Sequence, residues 1–99
     1  MSEAVASWNG VVIAKCPLAD TQKVEGNIYF PQAALVQENY SPSQTHTTCG
    51  WKGVASYYNV VVNGQSNKDA AWFYSDPLPA AQNIKGHIAF WKGVKVEVV

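Results

Sequence analysis

The sequence contains no arginine. Seven lysines face seven acids, so the formal net charge is zero. Nucleic-acid binders carry a basic excess that neutralises phosphates, and this balance argues against that class. Missing arginine also removes the bidentate fork that best grips phosphate and carboxylate. No apolar run approaches the roughly 18 residues of a membrane helix, so no membrane partner is expected. Charged residues make up only 14% against 47% hydrophobic, a balance that excludes intrinsic disorder. Cysteine is scarce. Cys16 and Cys49 form no C-x-x-C pair and no zinc spacing, and His46 three residues before Cys49 adds too few ligands. No metal and no cofactor are expected. Met1-Ser2-Glu3 lacks the basic-then-apolar pattern of an export signal, so a cytoplasmic location with reduced thiols is expected. The triplet Asn39-Tyr40-Ser41 is then a chance match to a glycosylation site. Neither GxxxxGK[ST], GxGxxG nor Gly-x-Ser-x-Gly occurs, and Asp20, Asp69 and Asp76 are scattered at turns. A two-metal site needs converging carboxylates, which three turn aspartates do not supply.

What remains is 99 residues, enough for one domain spanning 1–99 with a modest core. The pattern is short apolar runs broken by turn residues. Asn9-Gly10 separates Ala4–Trp8 from Val11–Cys16, a strong hairpin signal because both turn residues must take positive φ. Gln22–Glu25 and Ile28–Phe30 flank Gly26-Asn27 as a second hairpin, which Pro31 ends. Gln32–Glu38 is the one helix candidate, at most two turns long. Polar Ser41–Thr48 reads as a loop entering a strand near Thr45. Val54–Val62 and Ala70–Ser75 are strands joined by a connection over Asn63–Asp69. Asp76-Pro77-Leu78-Pro79 is a rigid turn. The last pair is His87–Trp91 and Val94–Val98, closed by Lys92-Gly93. About eight short strands at roughly ten-residue spacing predict an all-β fold, a small antiparallel sandwich or barrel.

The densest chemistry lies between Thr45 and Tyr58. His46, Cys49, Trp51, Lys52 and Tyr57 fall in that one stretch, with Gly50 and Gly53 bracketing Trp51-Lys52. Lys52 beside Cys49 would favour a thiolate, and His46 would be its base if it shared that face. The alternative is a half-buried cysteine acting as a small hydrophobe. Lys52 itself reads either as an anion anchor or amine nucleophile, or as a stem lying along an aromatic face. Four tryptophans are too many for a core this small, so one or two should line a cleft or interface. Trp72 and Tyr74 share one face of their strand, and an aromatic wall there could hold a planar or cationic ligand. Glu25, beside Gly26, reads as an ordinary turn carboxylate. Trp51-Lys52-Gly53-Val54 recurs as Trp91-Lys92-Gly93-Val94, which reads as two turns that each need a glycine.

The string Thr45-x-Thr47-x-Cys49-x-Trp51-Lys52-Gly53-x-Ala55-x-Tyr57 resembles the signature of a domain-of-unknown-function family, number 427 in its series and also labelled nucleotidyltransferase-like. Trp8-Asn9-Gly10, Tyr29-Phe30-Pro31, Ala71-Trp72-x-Tyr74-x-x-Pro77 and Gly86-x-Ile88-Ala89-Phe90 agree in order and spacing. The resemblance covers nearly the whole chain. It implies a β-tent-like fold, two antiparallel sheets splayed around a cleft, as in methionine sulfoxide reductase B, the translationally controlled tumour protein and cereblon-type domains. It also implies that Cys49, Trp51, Lys52, Tyr57 and Trp72 border that cleft. The family pattern near Cys16 usually offers serine, which argues against a Cys16–Cys49 bridge. Gly50 departs from the proline usual at that position, and His46 from a common arginine or other polar residue. For nucleotidyl transfer, the chain offers neither paired carboxylates nor a phosphate loop.

Three readings follow. The first is a small-molecule binding domain whose aromatic cleft uses Trp51, Tyr57, Trp72 and Tyr74, with Lys52 drawing an anionic or carbonyl group and His46 nearby. The second is an enzyme with Cys49 or Lys52 as its catalytic group. The third is a protein-interaction or homodimer module using exposed tryptophans and an open strand edge.

Overall fold

A computed structural model describes residues 2–99. Strands β1 (Glu3–Trp8) and β2 (Val11–Pro17) form the first hairpin. Asn9 and Gly10 take φ of 52° and 77°, the mirror-turn geometry that matches strand twist. After a 3₁₀ turn at Leu18–Asp20 come β3 (Gln22–Val24) and β4 (Asn27–Tyr29). Their turn lies one residue earlier than the sequence predicts. Glu25 and Gly26 occupy the positive-φ positions, at 54° and 79°, and Asn27 opens β4 opposite Val24.

The helix predicted over Gln32–Glu38 does not form. Two 3₁₀ turns, Gln32–Ala34 and Gln37–Asn39, flank extended Leu35 and Val36. Leu35 bridges Ala14 and is buried in the core, while the Val36 N–H donates to the Ile13 carbonyl at 3.0 Å. A two-turn helix is marginal alone, and burying Leu35 against β2 wins.

β5 (Tyr40–Cys49) is longer than the predicted loop-to-strand reading allows. Its polar side chains find partners. The Ser43 and Thr45 hydroxyls donate to the Asp69 carboxylate, and Thr47 Oγ1 lies 2.8 Å from the Tyr57 hydroxyl. β6 (Gly53–Val62) and β7 (Gln65–Phe73) meet at a two-residue Asn63-Gly64 turn, so β7 begins well before the predicted Ala70. A 3₁₀ segment, Pro79–Ile84, leads to β8 (Ile88–Phe90). β9 (Lys95–Val98) closes the chain. Lys92-Gly93 does turn, with φ of 55° and 86°, but it makes no hairpin. β8 pairs with β7, whereas β9 crosses to pair with β1.

Among the described residues, nine strands form three antiparallel sheets, ordered β2-β1-β9, β3-β4 and β5-β6-β7-β8. The fold is small and all-β, and among the described residues the helical elements are all 3₁₀ turns. The main core gathers Ala4, Ala6 and Ile13 with Val60, Val62 and Phe90. A second apolar cluster joins Tyr29, Ala55, Tyr57, Tyr74, Ile84 and Ala89. Strand alternation separates the two, because Tyr57 and Tyr58 point to opposite faces. Phe30 links the pieces. It exchanges both backbone hydrogen bonds with Ile88 at 2.7 Å and buries its ring in the main core, while Tyr29 turns to the second cluster.

Candidate functional site

Register builds the site. Pairing of β6 with β7 sets Tyr57 opposite Trp72, and pairing of β7 with β8 sets Trp72 opposite Ala89. A cleft of about 200 Å³ opens there, lined by Lys52, Tyr57, Trp72, Tyr74 and Trp91.

The aromatic wall is held by polar contacts at its edges. The Trp72 indole N–H donates to the Tyr29 hydroxyl at 3.2 Å. The Trp72 ring stands edge-on to Tyr29, with centroids 6.2 Å apart, and to Trp91 at 5.7 Å. Trp91 is 46% exposed yet fixed. Its ring leans over Tyr57 at 6.4 Å, and its indole N–H donates to the Asp69 carbonyl. Asp69 holds a positive φ of 57° and anchors the neighbourhood with its carboxylate. The Ser43 hydroxyl bond, helped by Thr45 and by Lys68 and Lys92, keeps that carboxyl below its ordinary range despite partial desolvation.

Lys52 closes one end. Gly53 follows it with φ of 109°, a conformation that favours glycine, and the Lys52 carbonyl accepts the Leu78 N–H at 2.9 Å. These constraints turn the side chain inward, leaving Lys52 only 7% exposed. Its ammonium donates to the Glu25 carboxylate and lies 5.4 Å from the Trp51 ring centroid and 5.5 Å from that of Tyr74. Burial pushes the ammonium down, but the Glu25 bond and the Tyr29 and Tyr74 phenols together outweigh it. Lys52 is held above the ordinary lysine range. In return, the Lys52 hydrogen bond holds Glu25 below its ordinary value, with a smaller contribution from Trp51. Burial pushes the Tyr74 phenol up, against the pull of Lys52.

The predicted site residues divide. Lys52, Tyr57, Trp72 and Tyr74 come together in the cleft. Trp51 is 41% exposed and flanks the Lys52 ammonium from outside the lining. Cys49 is a free, half-buried thiol packed against the second cluster. His46 does not join it. Thr47 and Cys49 pair with Ala55 and Gly53, whereas His46 pairs with Ser56, so alternation sends the imidazole to the opposite face. There it is exposed and bonds Ser56 at 3.2 Å. Cys16, also free, lies in the main core.

Three further residues belong to the site: Trp91, Tyr29 and Glu25, the last of which the sequence alone reads as an ordinary turn carboxylate. Trp91 had a signal in the repeated Trp-Lys-Gly-Val string. The two copies divide their roles, since Lys52 is buried and Trp51 peripheral, while Trp91 lines the cleft and Lys92 is exposed. Glu25 had a subtler signal, because a glutamate at a positive-φ turn position displaces the asparagine that such turns favour. Among the described residues, no three His, Cys, Asp or Glu side chains converge as metal ligands would. Among the described residues, no helix is long and apolar enough to cross a membrane.

A family model described as "Domain of unknown function (DUF427)" matches residues 2–99. None of the curated proteins compared with the chain matches it.

Proposed function

The chain belongs to the DUF427 family, and we propose that it binds a small planar molecule bearing a carbonyl or carboxylate group. One observation carries this reading: a buried lysine ammonium, already charge-paired, at the end of a cleft walled by Tyr57, Trp72, Tyr74 and Trp91. Aromatic faces stack on planar rings and exclude water. An ammonium has three donors, and Glu25 takes one, so donors remain for a ligand oxygen. Glu25 also neutralises the site, which favours a carbonyl or single carboxylate over a polyphosphate. The cleft volume of about 200 Å³ falls below the roughly 300–1,000 Å³ of drug-sized pockets, so it suits a single ring or one end of a longer molecule.

The charged state of Lys52 weighs against its use as an amine nucleophile, which needs the neutral form. Binding therefore ranks above catalysis through Lys52. The test is a thermal-shift screen of small planar carbonyl compounds against wild type, Lys52→Met and Trp72→Leu. A ligand at 100 times its Kd adds roughly 2.7 kcal/mol, which for a domain this size is a shift of at least about 10 °C. The reading expects hits that both variants lose. A blank screen, or hits indifferent to both substitutions, overturns it.

A further inference from the structure

Among the described residues, the β2-β1-β9 sheet has an unpaired edge at β9. On the β2 side, Leu35 and Val36 dock against Ala14 and Ile13. On the other side lies β9, paired only with β1 among the described residues. Glu3 and Val99 exchange both backbone hydrogen bonds at 2.8 Å, and the register continues as Val5↔Glu97 and Ser7↔Lys95. Antiparallel strands alternate such pairs, so Lys95, Glu97 and Val99 spend their backbone groups on β1. Val96 and Val98 therefore aim their N–H and C=O groups away from the molecule, at the free edge.

We infer that β9 is a self-complementary edge through which two copies of this chain pair antiparallel, with Val96 opposite the partner's Val96. That register makes reciprocal hydrogen bonds at Val96. It adds one from each Val98 N–H to the partner's Val94 carbonyl. The Val94 N–H is already taken by the Trp91 carbonyl, at 3.2 Å. The same register sets Lys95 opposite the partner's Glu97, and Glu97 opposite the partner's Lys95. Shifting the two-fold axis to residue 95 or 97 would instead put lysine against lysine or glutamate against glutamate, which is unfavourable across strands. Lys95 and Glu97 are already drawn to one side of the strand, 3.7 Å apart. Val98 is 49% exposed, and the pairing covers it with the partner's Val94. The charges that keep a lone edge from indiscriminate aggregation here select one partner and one register.

The test is sedimentation equilibrium of wild type, Lys95→Glu, Glu97→Lys and the double exchange, over a concentration series. All the substituted side chains are exposed, and matched circular dichroism melts establish that each variant is folded. Wild type should dimerise with rising concentration. Each single reversal replaces two attractive cross-strand pairs with two repulsive ones, and should raise the dimer Kd by at least about tenfold. The double exchange restores opposite charges across the axis and should recover wild-type association. A wild type that stays monomeric at millimolar concentration overturns the inference. So does a dimer indifferent to the single reversals, or a double exchange that fails to recover it.

Discussion

The geometry of the cleft depends on a hydroxyl that lies outside its lining. Tyr29 is fully buried, and its OH accepts the Trp72 indole N–H at 3.2 Å. Tyr29→Phe keeps the ring and its edge-on contact with Trp72 but strips that acceptor. An orphaned buried donor costs about 1–3 kcal/mol. Trp72 is only partly buried and borders the cleft, so water can reach its N–H from one side and the cost falls in the lower half of that range. At roughly 4–8 °C per kcal/mol for a domain this size, Tyr29→Phe should melt about 4–16 °C below wild type. Trp72→Phe removes the donor instead. In the double-mutant cycle the two should couple by about 1 kcal/mol, because the second substitution removes a group already unpartnered. Thermal melts followed by circular dichroism provide all four corners. A Tyr29→Phe variant melting within about 2 °C of wild type, or a cycle with no coupling, would refute the claim that this bond fixes the wall.

Other expectations follow from the same structure. Glu25 and Asp69 both have folded-state carboxyls held below their ordinary values of 4.5 and 3.8. Their contributions are therefore complete above those values and lost as pH falls through the lower folded ones. Melting temperature should drop below about pH 4.5, and the gap between wild type and Glu25→Gln should shrink from pH 7 to pH 3. The two thiols should react in sequence. Half-buried Cys49 reacts with a disulfide reagent in the native protein, whereas Cys16, buried and with its thiol pushed up by desolvation, Asp20 and Glu3, reacts only on unfolding. Cys49→Ser should remove the fast phase. His46→Ala should leave the affinity of any cleft ligand unchanged, measured by titration, because the imidazole lies on the other face of the sheet.

The turns were the most legible part of the sequence. Asn9-Gly10 closes the first hairpin as predicted, and the same chemistry at Asn63-Gly64 joins β6 to β7, although the sequence alone reads it as the start of a longer connection. Local signals end there. The first part of β5 reads as a loop in the sequence because its side chains are polar, and their partners come from elsewhere: Asp69, 24 residues after Thr45, for Ser43 and Thr45, and Tyr57 for Thr47. The short run after Lys92-Gly93 has the alternation of a strand, but nothing local says that its partner is β1 at the other end of the chain. In the sequence, Lys52 stands out between Trp51 and Gly53, and Trp72 through the strand face it shares with Tyr74. Glu25 lies 27 residues before Lys52 and becomes its counterion only when the β3–β4 turn is packed against the Trp51-Lys52-Gly53 turn. The condition placed on His46 as a base, a face shared with Cys49, is not met. A distance of three in sequence along a strand sends two side chains to opposite faces.

The most direct test of the binding reading uses the indole N–H signals of the four tryptophans in a ¹H–¹⁵N correlation spectrum. Each can be assigned by single substitution, and each reports a different part of the molecule. During titration with small planar carbonyl compounds, the Trp72 and Trp91 signals should shift in a saturable way, while Trp8, packed against the main core, stays still. The same titration of Lys52→Met should require much higher ligand concentrations. If no compound moves Trp72 or Trp91, or if binders move Trp8 and leave those two unchanged, the cleft is not the binding site.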